Sequence, residues 1–271
     1  LGLLIERLGL EDITLVAEDF GGPIGLSYAI ERPENVRALV LMNTWLWSLK
    51  GSSVEKAGRL FSTALGRFLY TRLNFSPRVI LPSAFGDRKR LTKRIHRQYL
   101  APLGSPAERQ GAWALARALI DSDAWYASLW QRRDRLAPKP ALLLWGMKDP
   151  AFGPAYLARW KEALPDARVI EFADAGHFVP EEVDAAVLAD AIRAHVAGAV
   201  GRNGTPGVEG AAGRPGCRGV RGGGFARCEA ARVVCVGGAA WPDATRLEVV
   251  AVAMLLTPAA RLAFRKPGVS A

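Results

Sequence analysis

Between residues 1 and 198 two hydrophobic patterns alternate: short unbroken apolar runs, and longer stretches with an apolar residue every third or fourth place. The runs at 13–17, 36–42, 141–145 and 168–172 predict strands, and the unbroken ones suit strands covered on both faces of a parallel sheet. Helical spacing marks 1–10, 22–32, 154–164 and 180–197. In the first of these Leu4, Ile5 and Leu8 share a face and Gly9 is the stop. Pro33 ends the second, because the residue before a proline is pushed out of the helical region. Strand, helix and strand from 13 to 42 form one parallel crossover unit.

From 44 to 140 the strand pattern vanishes. Helical segments at 54–73, 89–99, 108–120 and 123–136 are separated by Pro77, Pro82, Pro102 and Pro106. This stretch is too long for a connection and predicts an inserted helical lid. The expected fold is therefore α/β, a partial parallel sheet carrying a lid. Its core is 1–46 plus 139–198, its lid 47–138, and 199–271 is a Gly/Arg/Ala-rich tail, disordered or non-native. In that tail glycine recurs every third residue from 201 to 222, but only Pro206 and Pro215 fall between, too few for a collagen-like helix. The apolar runs 233–236 and 247–256 have strand or short-helix character without a partner pattern.

Composition narrows the classes. Half of the 271 residues are hydrophobic, ample for a core, yet no apolar run approaches the ~20 residues of a membrane span. Cys217, Cys228 and Cys235 form neither a disulfide framework nor a metal pattern, so a reducing, cytoplasmic setting is expected. The net charge of +10 is uneven: residues 49–140 hold eighteen basic and six acidic groups, whereas 1–48 and 141–200 are acidic. The densest cluster, Arg88-Lys89-Arg90 with Lys93, Arg94 and Arg97, lacks interleaved aromatics and reads as a solvated helical face. Neither a nucleic-acid nor a membrane partner is expected.

The chemistry concentrates where the first run ends, in Ala17-Glu18-Asp19-Phe20-Gly21-Gly22. A strand closing on an acid among small residues, followed by a helix, has the layout of a nucleophile elbow with Asp19 at its centre. The competing reading is an aspartate that caps the helix. Two later loops favour the elbow: Asp149 follows the run 141–145 and His177 follows 168–172. Chemistry in open parallel sheets collects at the carboxyl ends of strands, and nucleophile, acid, histidine is the chain order of an α/β-hydrolase triad. His96 and His195 are expected in solvated positions. No metal-ligand spacing and no phosphate-cradling loop occurs, so no metal and no cofactor is expected.

Residues 1–198 resemble an α/β-hydrolase of the haloalkane dehalogenase and epoxide hydrolase branch. The resemblance is carried by Glu18-Asp19-Phe20-Gly21-Gly22-Pro23, Leu41-Met42-Asn43-Thr44-Trp45, Trp145-Gly146-Met147-Lys148-Asp149-Pro150 and Asp174-Ala175-Gly176-His177-Phe178. It implies that Asp19 displaces halide from a saturated carbon and that His177, oriented by Asp149, activates water against the resulting ester. Aspartic acids ordinarily ionise near ~3.9, so such a first step needs no base. Asn43 stands where some relatives carry the acid and cannot be charged, which leaves that role to Asp149.

Two departures qualify the resemblance. Phe20 stands where the dehalogenases have a halide-binding tryptophan; Trp113, Trp125 or Trp130 in the lid, or Trp45 or Trp47, are the candidates to replace it, and Phe20 itself borders the site. The family also places several strands and an oxyanion loop before the elbow, whereas 18 residues precede Asp19, so about half the sheet is expected to be missing. The substrates implied are small halogenated molecules, or epoxides with Tyr70, Tyr99 or Tyr126 as lid acid, together with water. A reading of another class is a truncated, non-catalytic remnant.

Overall fold

The computed structural model describes residues 1–202, 232–237 and 248–253. Helix α1 (Gly2–Leu8) ends at Gly9, which takes the left-handed conformation (φ 60°). Strand β1 (Ile13–Asp19), helix α2 (Gly21–Glu31) and strand β2 (Val36–Thr44) form the crossover unit, with β1 and β2 parallel. The chain then leaves the sheet for the helical stretch expected as the lid: α3 (Ser53–Phe61), α4 (Ala64–Leu73), α5 (Leu81–Ala84), α6 (Lys93–Leu100), α7 (Gln110–Asp121) and α8 (Asp123–Gln131). It re-enters at β3 (Ala141–Gly146), continues through α9 (Pro154–Ala163) to β4 (Arg168–Phe172), and closes with α10 (Val179–Glu182) and α11 (Ala185–Arg202).

Two strands follow in the tail, β5 (Arg232–Gly237) and β6 (Glu248–Ala253). They complete a six-stranded parallel sheet of order β4-β3-β2-β1-β5-β6. The apolar runs that the sequence leaves without a neighbour are thus seated on the free side of β1. The sheet is larger than the four strands expected. The rest of the tail, with Cys217 and Cys228, lies outside the described residues.

Side-chain alternation builds the core. Leu15, Ala17, Leu39, Leu41, Leu143 and Trp145 face α2 and α9, where they meet Leu26, Ile30, Leu157 and Trp160. Val16, Val40, Met42, Leu142 and Leu144 face the other way, onto Val179 and, in α11, Leu188, Ile192 and Val196. Being covered on both faces is why β1, β2 and β3 read as unbroken apolar runs. The edge strand β4 is more exposed and carries Arg168 and Glu171, charges that discourage strand pairing from outside.

Three helix boundaries differ from the periodic reading. The segment 54–73 is two helices, because the Thr63 hydroxyl accepts the Gly66 N–H (3.1 Å) and starts α4 afresh. The last helix is likewise two, since Asp184 Oδ1 accepts the Ala186 N–H (2.7 Å) at the start of α11. The segment 123–136 stops at Gln131 and ends in a short 3-10 turn, Arg133–Arg135.

Candidate active site

The carboxyl ends of β1 to β4 converge. Asp19, the last residue of β1, has φ 49°, a strained conformation for a residue with a side chain. Thr44 Oγ1 donates to the Asp19 carbonyl (2.6 Å) and fixes the bend. A methyl group at position 22 would sit inside the Thr44 side chain, so the glycine there is what lets α2 begin so close to β2. Asp19 therefore stands on a sharp strand-to-helix turn at the N terminus of α2, where helix-end N–H groups favour negative charge.

Asp149 and His177 reach the same place through backbone packing. A Cβ at Gly146 would strike the carbonyl of Gly176, and one at Gly176 would strike the backbone of Ala84 and Gly86. The loop after β3, the loop after β4 and the lid segment between α5 and α6 are thus in backbone contact. The His177 N–H donates to the Ala84 carbonyl (2.8 Å), and the Lys148 N–H to the Ala175 carbonyl (2.9 Å). His177 Nδ1 lies 2.8 Å from Asp149 Oδ2, and its Nε2 lies 3.8 Å from Asp19 Oδ1. With Nδ1–H donated to Asp149, Nε2 faces Asp19.

Asn43 secures the acid. Its Nδ2 donates to Asp149 Oδ2 (2.9 Å) and to the Gly146 carbonyl (3.0 Å), and its Oδ1 accepts the Gly146 N–H (2.8 Å). Asn43 has φ 30°, a region asparagine tolerates better than most residues. The sequence reading saw only that this position lacks charge; the tether is a role it missed.

Glu182 was missed as well. Its carboxylate accepts N–H groups from Gly86 (2.8 Å) and Asp87 (3.1 Å) in the lid, and from Gly176 (2.9 Å) beside the histidine. Nothing in the local sequence separates it from an ordinary acid in a helix. Glu18 is a third omission. It precedes Asp19, is buried, and its Oε1 has no partner among the described residues.

The electrostatics follow from this packing. Burial by itself would lower the pKa of His177, but the charge and hydrogen bond of Asp149, joined by Asp19, hold it well above the usual range. Burial would raise Asp149, yet the His177 charge, the His177 hydrogen bond and the Ala151 N–H keep it below the usual carboxylate range. Glu18 is pushed up to about 8, chiefly by burial.

Asp19 and His177 open onto a cavity of about 370 Å³ under the lid, with Phe20, Phe61, Leu119 and Phe178 among its apolar walls. Tyr70 and Tyr99 line it too. The Tyr99 hydroxyl donates to Glu181 Oε1 (3.1 Å), whereas the pKa of Tyr70 is raised by burial and by the negative charge of Asp19. The Tyr126 hydroxyl is engaged with the Ala118 carbonyl (2.9 Å) and does not line the cavity.

The tryptophan candidates fare unevenly. Trp113 donates its indole N–H to the Phe61 carbonyl (3.0 Å), and Trp125 is on the lid surface; neither lines the cavity. Trp45 lies behind Phe20, edge-on with ring centroids 5.0 Å apart, and its N–H has no acceptor among the described residues. His96 is half-buried and bonded to the Pro77 carbonyl (2.7 Å) rather than solvated. No group of three or more metal-ligating side chains occurs among the described residues.

Comparison with known proteins agrees with this fold. Residues 2–183 match the family model described as alpha/beta hydrolase fold. The chain is 30% identical over 194 residues to haloalkane dehalogenase 2 of Mycobacterium bovis, covering 69% of this chain and 67% of the relative. It is 32% identical over 195 residues to a cis-3-alkyl-4-alkyloxetan-2-one decarboxylase of Shewanella oneidensis, covering 68% and 60%. Among solved structures, a loop variant of haloalkane dehalogenase DbeA from Bradyrhizobium elkanii superposes with TM-score 0.63 at 22% identity, over 74% of this chain and 72% of that one. The chain belongs to the α/β-hydrolase fold family, among its haloalkane dehalogenase-like hydrolases.

Proposed function

We propose that Asp19 is the nucleophile of a two-step hydrolysis in which haloalkanes are the substrates. A carboxylate oxygen of Asp19 attacks the saturated carbon; the carbon–halogen bond breaks and the halide leaves with the bonding electrons, giving an alkyl ester on the enzyme. His177 then takes a proton from water, and the hydroxide adds to the ester's carboxyl carbon. Cleavage of the acyl–oxygen bond releases the alcohol and restores Asp19. The carrying observation is the imidazole Nε2 at 3.8 Å from the carboxylate of a residue held at φ 49°. The division of labour is a catalytic core of 1–46 with 139–198 under a lid of 47–138.

The charges suit the sequence of steps. In the free enzyme Asp149 and Asp19 both favour the imidazolium. Esterification removes the Asp19 charge and with it part of that bias, so His177 gives up its proton more readily at the step that needs a base. The hydrolytic step should therefore slow as the pH falls, with ester accumulating. Rapid quenching of the enzyme after mixing with 1,2-dibromoethane, at a series of pH values, measures this. A His177→Phe variant should stop at the ester, seen by mass spectrometry as an alkylated peptide containing Asp19. An unmodified Asp19 in that variant removes the proposal.

A second reading has its own support. Phe20 offers the cavity no N–H for a halide, while Tyr70 lines the cavity and feels the charge of Asp19. These features suit a leaving group that departs as oxygen, from a strained ring such as an epoxide or an oxetanone. The same attack by Asp19 opens the ring, and for an epoxide Tyr70 supplies the proton to the new alkoxide. Assays of bromide from 1,2-dibromoethane, diol from styrene oxide and carbon dioxide from a dialkyl oxetan-2-one separate the substrate classes. A chain inert in all three, with no ester on Asp19, is the non-catalytic remnant.

A further inference from the structure

The pair α3 and α4 forms a wall of the lid with two apolar sides. Val54, Ala57, Phe61 and Tyr70 face the cavity. On the outer side Leu60, Leu65, Phe68, Leu73 and, just beyond α4, Val79 are each between 47% and 57% exposed. These five are more than half of the nine exposed large hydrophobic residues among the described residues, gathered within twenty positions. The cluster is more than the scattered apolar residues of an ordinary surface.

The charges interleaved with them are of one sign. From 56 to 86 the sequence contains no aspartate or glutamate, and it carries Lys56, Arg59, Arg67, Arg72 and Arg78. Glu55, at one end, is paired with Arg59 (2.6 Å), and Asp87 begins the next segment. Among the described residues Lys56, Arg67, Arg72 and Arg78 are in no ion pair, and Arg67 lies over the ring of Trp113. On the packed neighbour α7, Asp121 is matched by Arg117 (2.7 Å).

We propose that this face of the lid docks on an anionic lipid surface, with Leu65 and Phe68 entering the headgroup boundary and the four unpaired cations meeting lipid phosphates. Such helices lie in the interface without crossing it, combining an apolar stripe with flanking Lys and Arg. The mode is distinct from spanning: no helix among the described residues is long and apolar enough for that. A second copy of this chain is a poor occupant. Two-fold pairing sets a patch against itself and would bring Arg67, Arg72 and Arg78 against like charges.

The test is co-sedimentation of the 271-residue chain with phosphatidylcholine vesicles with and without phosphatidylglycerol. The chain should bind the anionic vesicles, bind neutral ones far more weakly, and be released as salt shortens the screening length. Arg72→Gln with Arg78→Gln should weaken binding about 25-fold, at about fivefold per cation near a charged surface. Leu65→Ser with Phe68→Ser should weaken it about tenfold or more, with thermal melting lowered only slightly because both side chains are more than half exposed. All the proteins share the basic stretch 203–271, so the differences read the lid alone. No binding to anionic vesicles, or equal binding by both double variants, overturns the proposal. So does a dimer, seen by light scattering, that the apolar variants dissolve while wild type ignores vesicles.

Discussion

At Glu18 a carboxyl group sits one residue before the proposed nucleophile, 4% exposed, with a pKa near 8 set first by burial and then by Asp19, Glu181 and Asp149 against the opposing charge of His177. Its folded pKa lies above the ordinary 4.5, so the stability it contributes is complete below about pH 4.5 and drains as the pH rises toward 8. The slope is about 1.4 kcal/mol per pH unit across that window. Glu18→Gln should flatten the fall of melting temperature between pH 5 and 8 relative to wild type; identical slopes would mean that Glu18 does not hold its proton in the fold. Asn43 calls for a different substitution. Asn43→Gly keeps the positive φ accessible but removes the amide that tethers Asp149 and pairs with the Gly146 backbone, so the protein should melt lower yet still cooperatively while kcat falls up to about 100-fold, as small misplacements in a catalytic array do. Loss of folding instead would make Asn43 a structural residue. Position 43 also shows where sequence reading stops. The side chains of Asp19, Asp149 and His177 were legible because each follows a strand run, whereas the value of an amide depends on a neighbour 106 residues away.

Among the elements, α10 links the lid to the loop of His177. Glu182 gathers N–H groups from Gly86, Asp87 and Gly176, so the lid segment and the residue before His177 are held by one carboxylate. Glu182→Ala leaves three donors without their acceptor, a cost of roughly 1–3 kcal/mol for each that water does not reach. The expected outcome is a lower kcat with faster hydrogen exchange at Gly86 and Gly176. Glu182→Gln, which keeps an acceptor oxygen, should recover part of both. If exchange rises only within α10, the link between lid and loop is not made through this residue. The same scale explains which helix boundaries the sequence concealed. Proline breaks were visible at Pro77 and Pro82, but the α3–α4 boundary depends on Thr63 capping Gly66 inside an apolar pattern that continues in phase. A hydroxyl able to cap also occurs in helix interiors, so periodicity read straight through it.

For the molecule as a whole, the open question in the sequence was what covers the outer edge of β1. Each strand run announced itself, yet a parallel neighbour more than 200 residues away leaves no local mark, because pairing partners are chosen by the shape of the assembled sheet. In the structure β5 takes that edge, with Ala17 opposite Val236 and Thr14 opposite Val233. Val236 is 1% exposed and packs in the same cluster as Leu15, Ala17 and Leu26. The strand carrying Asp19 is therefore hydrogen-bonded on both sides, and the turn that presents Asp19 is anchored by an element drawn from the tail. Val236→Asp tests this at one position. A carboxylate buried there without a partner costs several kcal/mol, enough to detach the strand from a domain of ordinary stability. Detachment bares the β1 edge, which invites association with other chains. The variant should melt at lower temperature, exchange the β1 amides faster and aggregate on warming. Val187→Asp, on the half-exposed outside of α11, should do none of these. If both variants melt alike, the edge of β1 is covered by something other than β5, and the turn that presents Asp19 has a different support.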